Sequence, residues 1–242
     1  MRFNPFLHAA LNVLFPPICH VCRKFIPAAG SLHICPACRE RLTPIVSPVC
    51  KVCGIPFAGA GEDHVCGDCI TSPPRFDAAL AALAYEDVSR DLLHAFKYRN
   101  KTHLRRPLAL LMIERLSDFV GLRPPDLIMP VPLHRKRLQS RGFNQAVLLG
   151  EILSSHWKLP LDRYNLRRTR WTEPQVNLSA GERRANVRGA FSVQKSCLVL
   201  GRRVLLVDDV LTTGSTVEEC SLLLKTVGAK EVTVITAARA LV

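Results

Sequence analysis

Val204-Leu205-Leu206-Val207-Asp208-Asp209-Val210-Leu211-Thr212-Thr213-Gly214-Ser215-Thr216 is the stretch that decides the fold. Its four leading apolar residues read as a buried strand that delivers two adjacent carboxylates to its carboxyl end, where open α/β sheets place their ligands. Thr212 to Thr216 is a small-residue turn opening a helix, so unpaired amides, hydroxyls and the positive helix end converge where a phosphate fits. Phosphate and carboxylates set so close repel each other unless something neutral or metallic stands between. A sugar diol donating to Asp208 and Asp209, with its phosphate in the loop, satisfies both. Two rival readings fail on the rest of the chain. A Walker B strand needs a P-loop, and no Gly-Lys-Ser/Thr occurs; a receiver domain needs a later phosphoacceptor, and none of the 33 residues after Asp209 is Asp.

Working outward, β-like runs alternate with helical stretches from Asp77 onward, the pattern of a parallel sheet covered by helices. Strands are expected near 77-85, 127-131, 189-193, 203-207 and 231-237, and helices near 88-98, 103-119, 144-156 and 216-227. Ser179-Ala180-Gly181-Glu182 matches a capping box and predicts a short helix. The fold class is therefore α/β. Thr71-Ser72-Pro73-Pro74 reads as a linker, dividing the chain into 1-72 and 73-242. Leu7, Ala10, Leu11 and Leu14 share one face of a short amphipathic helix that Pro16-Pro17 ends, so 1-72 is expected to open on a helix.

The same N-terminal part holds eight of the ten cysteines in four Cys-x-x-Cys pairs: Cys19/Cys22, Cys35/Cys38, Cys50/Cys53 and Cys66/Cys69, with 12, 11 and 12 residues between pairs. One such turn brings two thiolates to a Zn²⁺, and two turns close a tetrahedron that leaves no position for water. Two structural zinc ribbons follow, either in sequential pairing or interleaved. Zinc-bound thiolates make this module net negative, so it is not itself a strong phosphate binder. His20, His33 and His64 read as surface histidines, and Cys197 and Cys220 as small apolar residues.

Of the formal net charge of +13, most lies in 131-203, which carries 15 Lys and Arg against 4 Asp and Glu. That concentration points to a polyanionic partner. Pro130-Val131-Pro132-Leu133 ends an expected strand, and Arg137 and Arg141 on the loop after it suit a pyrophosphate. Lys97 is a further candidate cation. Arg168 to Phe191, with Arg170 and Arg183, reads as a polar loop able to act as a lid, and Trp171 beside Arg170 as a stacking platform for single-stranded DNA. With 48% hydrophobic and 22% charged residues, the chain can build a core, which excludes disorder throughout. The longest apolar run, Ala78 to Tyr85, is far short of the roughly 18 residues a membrane span needs.

The thirteen residues quoted first resemble the 5-phosphoribosyl 1-diphosphate (PRPP) loop of type I phosphoribosyltransferases. The resemblance implies that Asp208 and Asp209 hold the ribose 2- and 3-hydroxyls, with Thr212, Thr213, Gly214, Ser215 and Thr216 on the 5-phosphate. Together with Pro130-Val-Pro-Leu133, Arg137, Arg141-Gly-Phe-Asn-Gln145, the block Arg170/Thr172/Gln175/Arg183/Asn186 and the cysteine-rich start, it resembles the ComF family over nearly the whole chain. That likeness implies a phosphoribosyltransferase domain behind a double zinc ribbon, PRPP bound with Mg²⁺, and a role in DNA uptake during natural transformation. It further implies work on incoming single strands at the cytoplasmic side of the membrane; a separate, structural reading makes the ribbons a docking surface for a helicase or channel partner. An active transferase of nucleotide metabolism and a non-catalytic PRPP sensor are the alternatives within the same fold.

Overall fold

The computed structural model describes residues 16–27, 30–172 and 180–241. The amphipathic stretch at 6-14 and Ser179 of the capping box lie outside these residues, as does Gln175. The described α-helices and strands are α1 (Pro36–Glu40), α2 (Gly67–Thr71), β1 (Ala78–Ala84), α3 (Asp87–Tyr98), α4 (Arg105–Leu122), β2 (Leu127–Pro130), α5 (Arg135–Arg141), α6 (Gln145–Trp157), β3 (Leu166–Arg168), α7 (Ala180–Val187), β4 (Phe191–Val193), β5 (Arg203–Leu211), α8 (Ser215–Thr226) and β6 (Glu231–Arg239).

Four strands make one parallel sheet in the order β1-β6-β5-β2, with helices on both faces. β5 outruns the four apolar residues that announce it and stays in the ladder through Leu211, because β6 is long enough to pair Asp208 with Thr236 and Val210 with Ala238. Along the first part of β5, from Val204 to Val207, the pleat sorts side chains by parity. Leu205 and Val207 enter a core with residues of α3, α4 and α6, such as Leu93, Leu108 and Leu149; Val204 and Leu206 enter the other, with Val217 and Leu224 of α8. Each of these apolar side chains stabilises the fold by about 1.5–3 kcal/mol through burial.

Two expectations are corrected. The run near 189-193 is not part of the parallel sheet: β4 pairs antiparallel with β3, Leu166 opposite Val193 and Arg168 opposite Phe191. β3 escapes notice in the sequence because Leu-Arg-Arg holds a single apolar residue. The segment bearing Arg137 and Arg141 is not a loop but the helix α5, started by the His134 side chain, which accepts from the amide of Lys136 at 3.2 Å, and closed by Gly142 in the left-handed region.

The cysteine-rich part is seated on β1, the edge strand of the sheet. The amide of Ile45 donates to Ala82 O at 3.2 Å, that of Ala84 to Thr43 O at 2.8 Å, and that of Ala79 to Val52 O at 2.7 Å. An edge otherwise open to pairing is thereby covered. Gly54 sits so close that a Cβ there would lie 2.3 Å from the carbonyl oxygen of Ala79. Ile26, Ile34 and Leu42 join the core cluster of α3 and α4, and two bidentate pairs, Arg39 with Glu114 and Arg41 with Asp87, rim the contact. No helix among the described residues is long and apolar enough to cross a membrane.

Candidate zinc centres and sugar-phosphate site

The eight cysteines gather sequentially, Cys19, Cys22, Cys35 and Cys38 in one group and Cys50, Cys53, Cys66 and Cys69 in the other, with all four Sγ atoms of a group within 4.8 Å of one another. The interleaved pairing is excluded. A tetrahedral ion with Zn–S near 2.3 Å sets sulfurs about 3.8 Å apart; Cys22 and Cys35 are 3.7 Å apart and Cys53 and Cys66 3.8 Å apart. The two groups therefore fit structural zinc. Backbone amides prepare them for it: Cys35 N–H donates to the Cys19 sulfur at 3.4 Å, and Cys53 and Cys66 N–H to the Cys50 sulfur at 3.4 and 3.3 Å. Burial opposes the thiolate at Cys19 and Cys50, yet these amides prevail and bring both down to about 6. The histidines supply no ligand to either group; His20 instead meets His33 and His103, and His64 stacks on Phe57. Cys220 is buried as expected, but Cys197 is exposed.

At the carboxyl edge of the sheet a cavity of about 840 Å³ opens over β5 and the start of α8. Its floor is the quoted stretch. Gly214, with φ 79°, is the N-cap of α8, a backbone that a side-chain-bearing residue enters only under strain. The turn brings the Thr213 hydroxyl within 3.0 Å of that of Ser215, and the first amides of α8 have no acceptor within the helix. Asp208, Asp209, Thr212, Gly214, Ser215 and Thr216 line the cavity; Thr213 is not among its lining residues.

Lys97, at the carboxyl end of α3, sets its Nζ 2.9 Å from Asp209 Oδ2, with the carboxylate only 3% exposed. Burial works against the lysine's charge, but Asp209 and Asp208 outweigh it and raise its pKa. Asp208 accepts the amide of Asp209 at 2.8 Å; burial and the neighbouring carboxylate push it up to about 8, against the pull of Lys97.

The facing wall is basic. Arg137 and Arg141 reach it from α5, and Arg168 from β3. Arg141 donates to Gln145 Oε1 at 2.7 Å and lies over the Tyr98 ring; Asn144 ties the wall to the sheet by donating to Val131 O at 3.0 Å while capping α6. Arg168 donates to the Thr172 hydroxyl, rests on the Phe191 ring, and has no acid partner among the described residues. Burial and the charge of Arg137 lower its pKa, so an anion bound here would relieve both. By sequence alone Arg168 is one cation of a generic basic loop. Its signal was the alternation Arg167, Arg168 on a strand, which turns Arg167 outward to Tyr164 O and Arg168 inward.

Arg170 is turned away from the cavity, its Nη2 donating to the carbonyls of Asn186 and Arg188 at 3.1 and 2.7 Å, so it clamps the end of α7. Arg183 falls on α7, with its side chain outside the described part. Trp171 is contacted by Lys136 and Arg137, each 5.8 Å from the ring centre, and edge-on by His134.

Two family models match the chain: a double zinc ribbon domain over residues 10–70 and a phosphoribosyl transferase domain over 144–241. Competence protein F of Haemophilus influenzae is 38% identical over 178 residues, covering 72% of this chain and 78% of that protein. The chain belongs to the ComF family. Other ComF-like relatives are the DNA utilization protein YhgH of Escherichia coli K12, 37% identical over 69% of this chain and 74% of its own length, and competence protein ComFC of Bacillus subtilis, 30% identical over 54% and 51%. The ComF architecture here is a parallel-sheet phosphoribosyltransferase fold behind a double zinc ribbon.

Proposed function

We propose that this ComF-family chain binds PRPP with Mg²⁺ at the β5–α8 corner and acts in DNA uptake and natural transformation, holding single-stranded DNA on its basic face. One observation carries the reading: a phosphate-sized turn at a helix start, an acid pair and a wall of arginines with no acid partner among the described residues all line a single cavity. Thr212 to Thr216 take the 5-phosphate, the pair Asp208 and Asp209 takes the ribose hydroxyls, and Arg137, Arg141 and Arg168 take the diphosphate. Mg²⁺ would arrive on the diphosphate oxygens and neutralise part of their charge. The names of the relatives, competence protein F and DNA utilization protein, support the biological role.

For DNA, the support is Trp171, 38% exposed and ringed by Lys136, Arg137 and His134, within the most basic part of the chain. Exposed Phe25, Val46 and Ile70 on the cysteine-rich part support docking of a helicase or channel partner there. Eight thiols reserved for zinc suit a cytoplasmic site of action.

Calorimetry with PRPP and Mg²⁺ tests the first half: wild type binds, and Asp208→Asn with Asp209→Asn abolishes binding. Titration of single-stranded DNA at increasing salt tests the second, the affinity falling steeply as bound counterions are released. No PRPP binding, or a salt-independent DNA affinity, refutes the respective half.

A further inference from the structure

Asp208 and Asp209 are neighbours in sequence but not in direction. The alternation from Val204 to Val207 continues to the acids before it reverses at Val210 and Leu211: Asp209 meets Lys97 of α3, and Asp208 lies towards α8, where its charge acts on buried Cys220. Their partners differ accordingly. The Asp209 carboxylate is almost wholly buried, and its Oδ2 is met by Lys97 Nζ at 2.9 Å. Asp208 stays half-buried on the cavity wall, with Oδ1 on the amide of Asp209. Lys97 alone of the cations lining the cavity is held by an acid among the described residues: Arg141 meets Gln145 and Tyr98, Arg137 meets Trp171, and Arg168 meets Thr172, all neutral partners.

A lysine at a helix end is ordinarily solvated, and desolvating an ion pair costs more than leaving both groups in water unless the geometry is good. Here the pair is buried at its acid end and borders a cavity at its amine end. An ammonium has three donors, so contact with Asp209 leaves others for a ligand.

On the reading that PRPP occupies this cavity, we propose that Asp209 acts on the ligand through Lys97. The buried carboxylate anchors the ammonium as a fixed cation inside the cavity, which narrows the assignment of the ribose hydroxyls from the acid pair to Asp208 alone. Lys97 and Asp209 are positioning residues that work as one unit. Part of the charge compensation that a divalent cation brings with a diphosphate is therefore built into the chain.

The test is PRPP binding by calorimetry on the full chain, with Mg²⁺ and in EDTA, for wild type, Lys97→Met, Lys97→Arg, Asp209→Asn, the Lys97→Met/Asp209→Asn double variant, and Asp208→Asn alone and combined with Lys97→Met. Lys97→Met and Asp209→Asn are each expected to weaken binding roughly tenfold or more, the loss of one charged hydrogen bond. Their double variant is no weaker than either alone, whereas Asp208→Asn weakens binding further in the Lys97→Met background, short of full additivity because Lys97 also feels the Asp208 charge. Lys97→Arg restores part of the affinity. In EDTA the wild type keeps measurable binding and Lys97→Met does not. Lys97→Met strands a buried carboxylate and lowers stability; the double variant carries neither charge, so its thermal midpoint stays near that of the wild type and it anchors the comparison. Additive losses at 97 and 209, or a Lys97→Met protein that binds like the wild type with and without Mg²⁺, overturn the proposal and leave the PRPP reading standing. A wild type that binds no PRPP overturns both.

Discussion

Replacing Gly54 with alanine measures how tightly the second ribbon is seated on the sheet. The backbone there has φ 70°, and an alanine forced into the left-handed region costs about 1 kcal/mol. The methyl would also sit 2.3 Å from the carbonyl oxygen of Ala79, a contact relieved only by lifting the turn from β1. The bond from the Ala79 amide to Val52 O, 2.7 Å long and two residues from Gly54, is then lost at about 1 kcal/mol. Together these come to about 2–3 kcal/mol, which for a chain of this length lowers the thermal midpoint by about 4–12 °C. The control is Gly59→Ala, at a residue with φ 92° and nothing within 4 Å of its would-be Cβ, which isolates the backbone strain from the clash. Scanning calorimetry of the zinc-loaded proteins, with zinc content determined for each, is the assay. If Gly54→Ala and Gly59→Ala melt together, the close seating of the ribbon against Ala79 is wrong.

Asp208→Asn is expected to stabilise the protein while weakening PRPP binding. An ordinary carboxyl, as in the unfolded chain, ionises near pH 4, whereas in the fold burial and Asp209 push Asp208 up to about 8. The unfolded state thus releases the proton first, and stability is lost as pH rises between those values. The midpoint advantage of the variant should grow from pH 4 to pH 8; a constant gap across that range would count against the assignment. Cys50→Ser should lower bound zinc from two ions per chain to one by elemental analysis, since the groups are separate, and loss of both would show the ribbons to be interdependent. Trp171→Ala should weaken single-stranded DNA binding by about 1–3 kcal/mol, the value of one stacked base, without altering its salt slope. Lys136→Gln should instead reduce that slope by about one, and the opposite pattern would remove both residues from the DNA path.

The expected parallel sheet appears because its strands are nearly continuous apolar runs, legible without any neighbour. Short elements were less legible. β3 holds one apolar residue and exists because β4 lies beside it, and α5 is sustained by a histidine cap and Gly142 rather than by an apolar face. In the site, the β5 stretch announced itself because its acids, turn and helix start are consecutive in the chain.

The chain by itself determined what depends on neighbours a few residues apart: thiol pairs set for one ion, a phosphate turn after a strand, and an excess of positive charge in one region. The tertiary structure decided which pairs share an ion, that the cysteine-rich part covers the open edge of the sheet, that Lys97 belongs to Asp209, and that Arg168 faces the cavity while Arg170 clamps α7. These pairings join residues remote in sequence. Their partners are chosen by which faces the pleat and the packed helices bring together, and that is a property of the assembled core rather than of any local spacing.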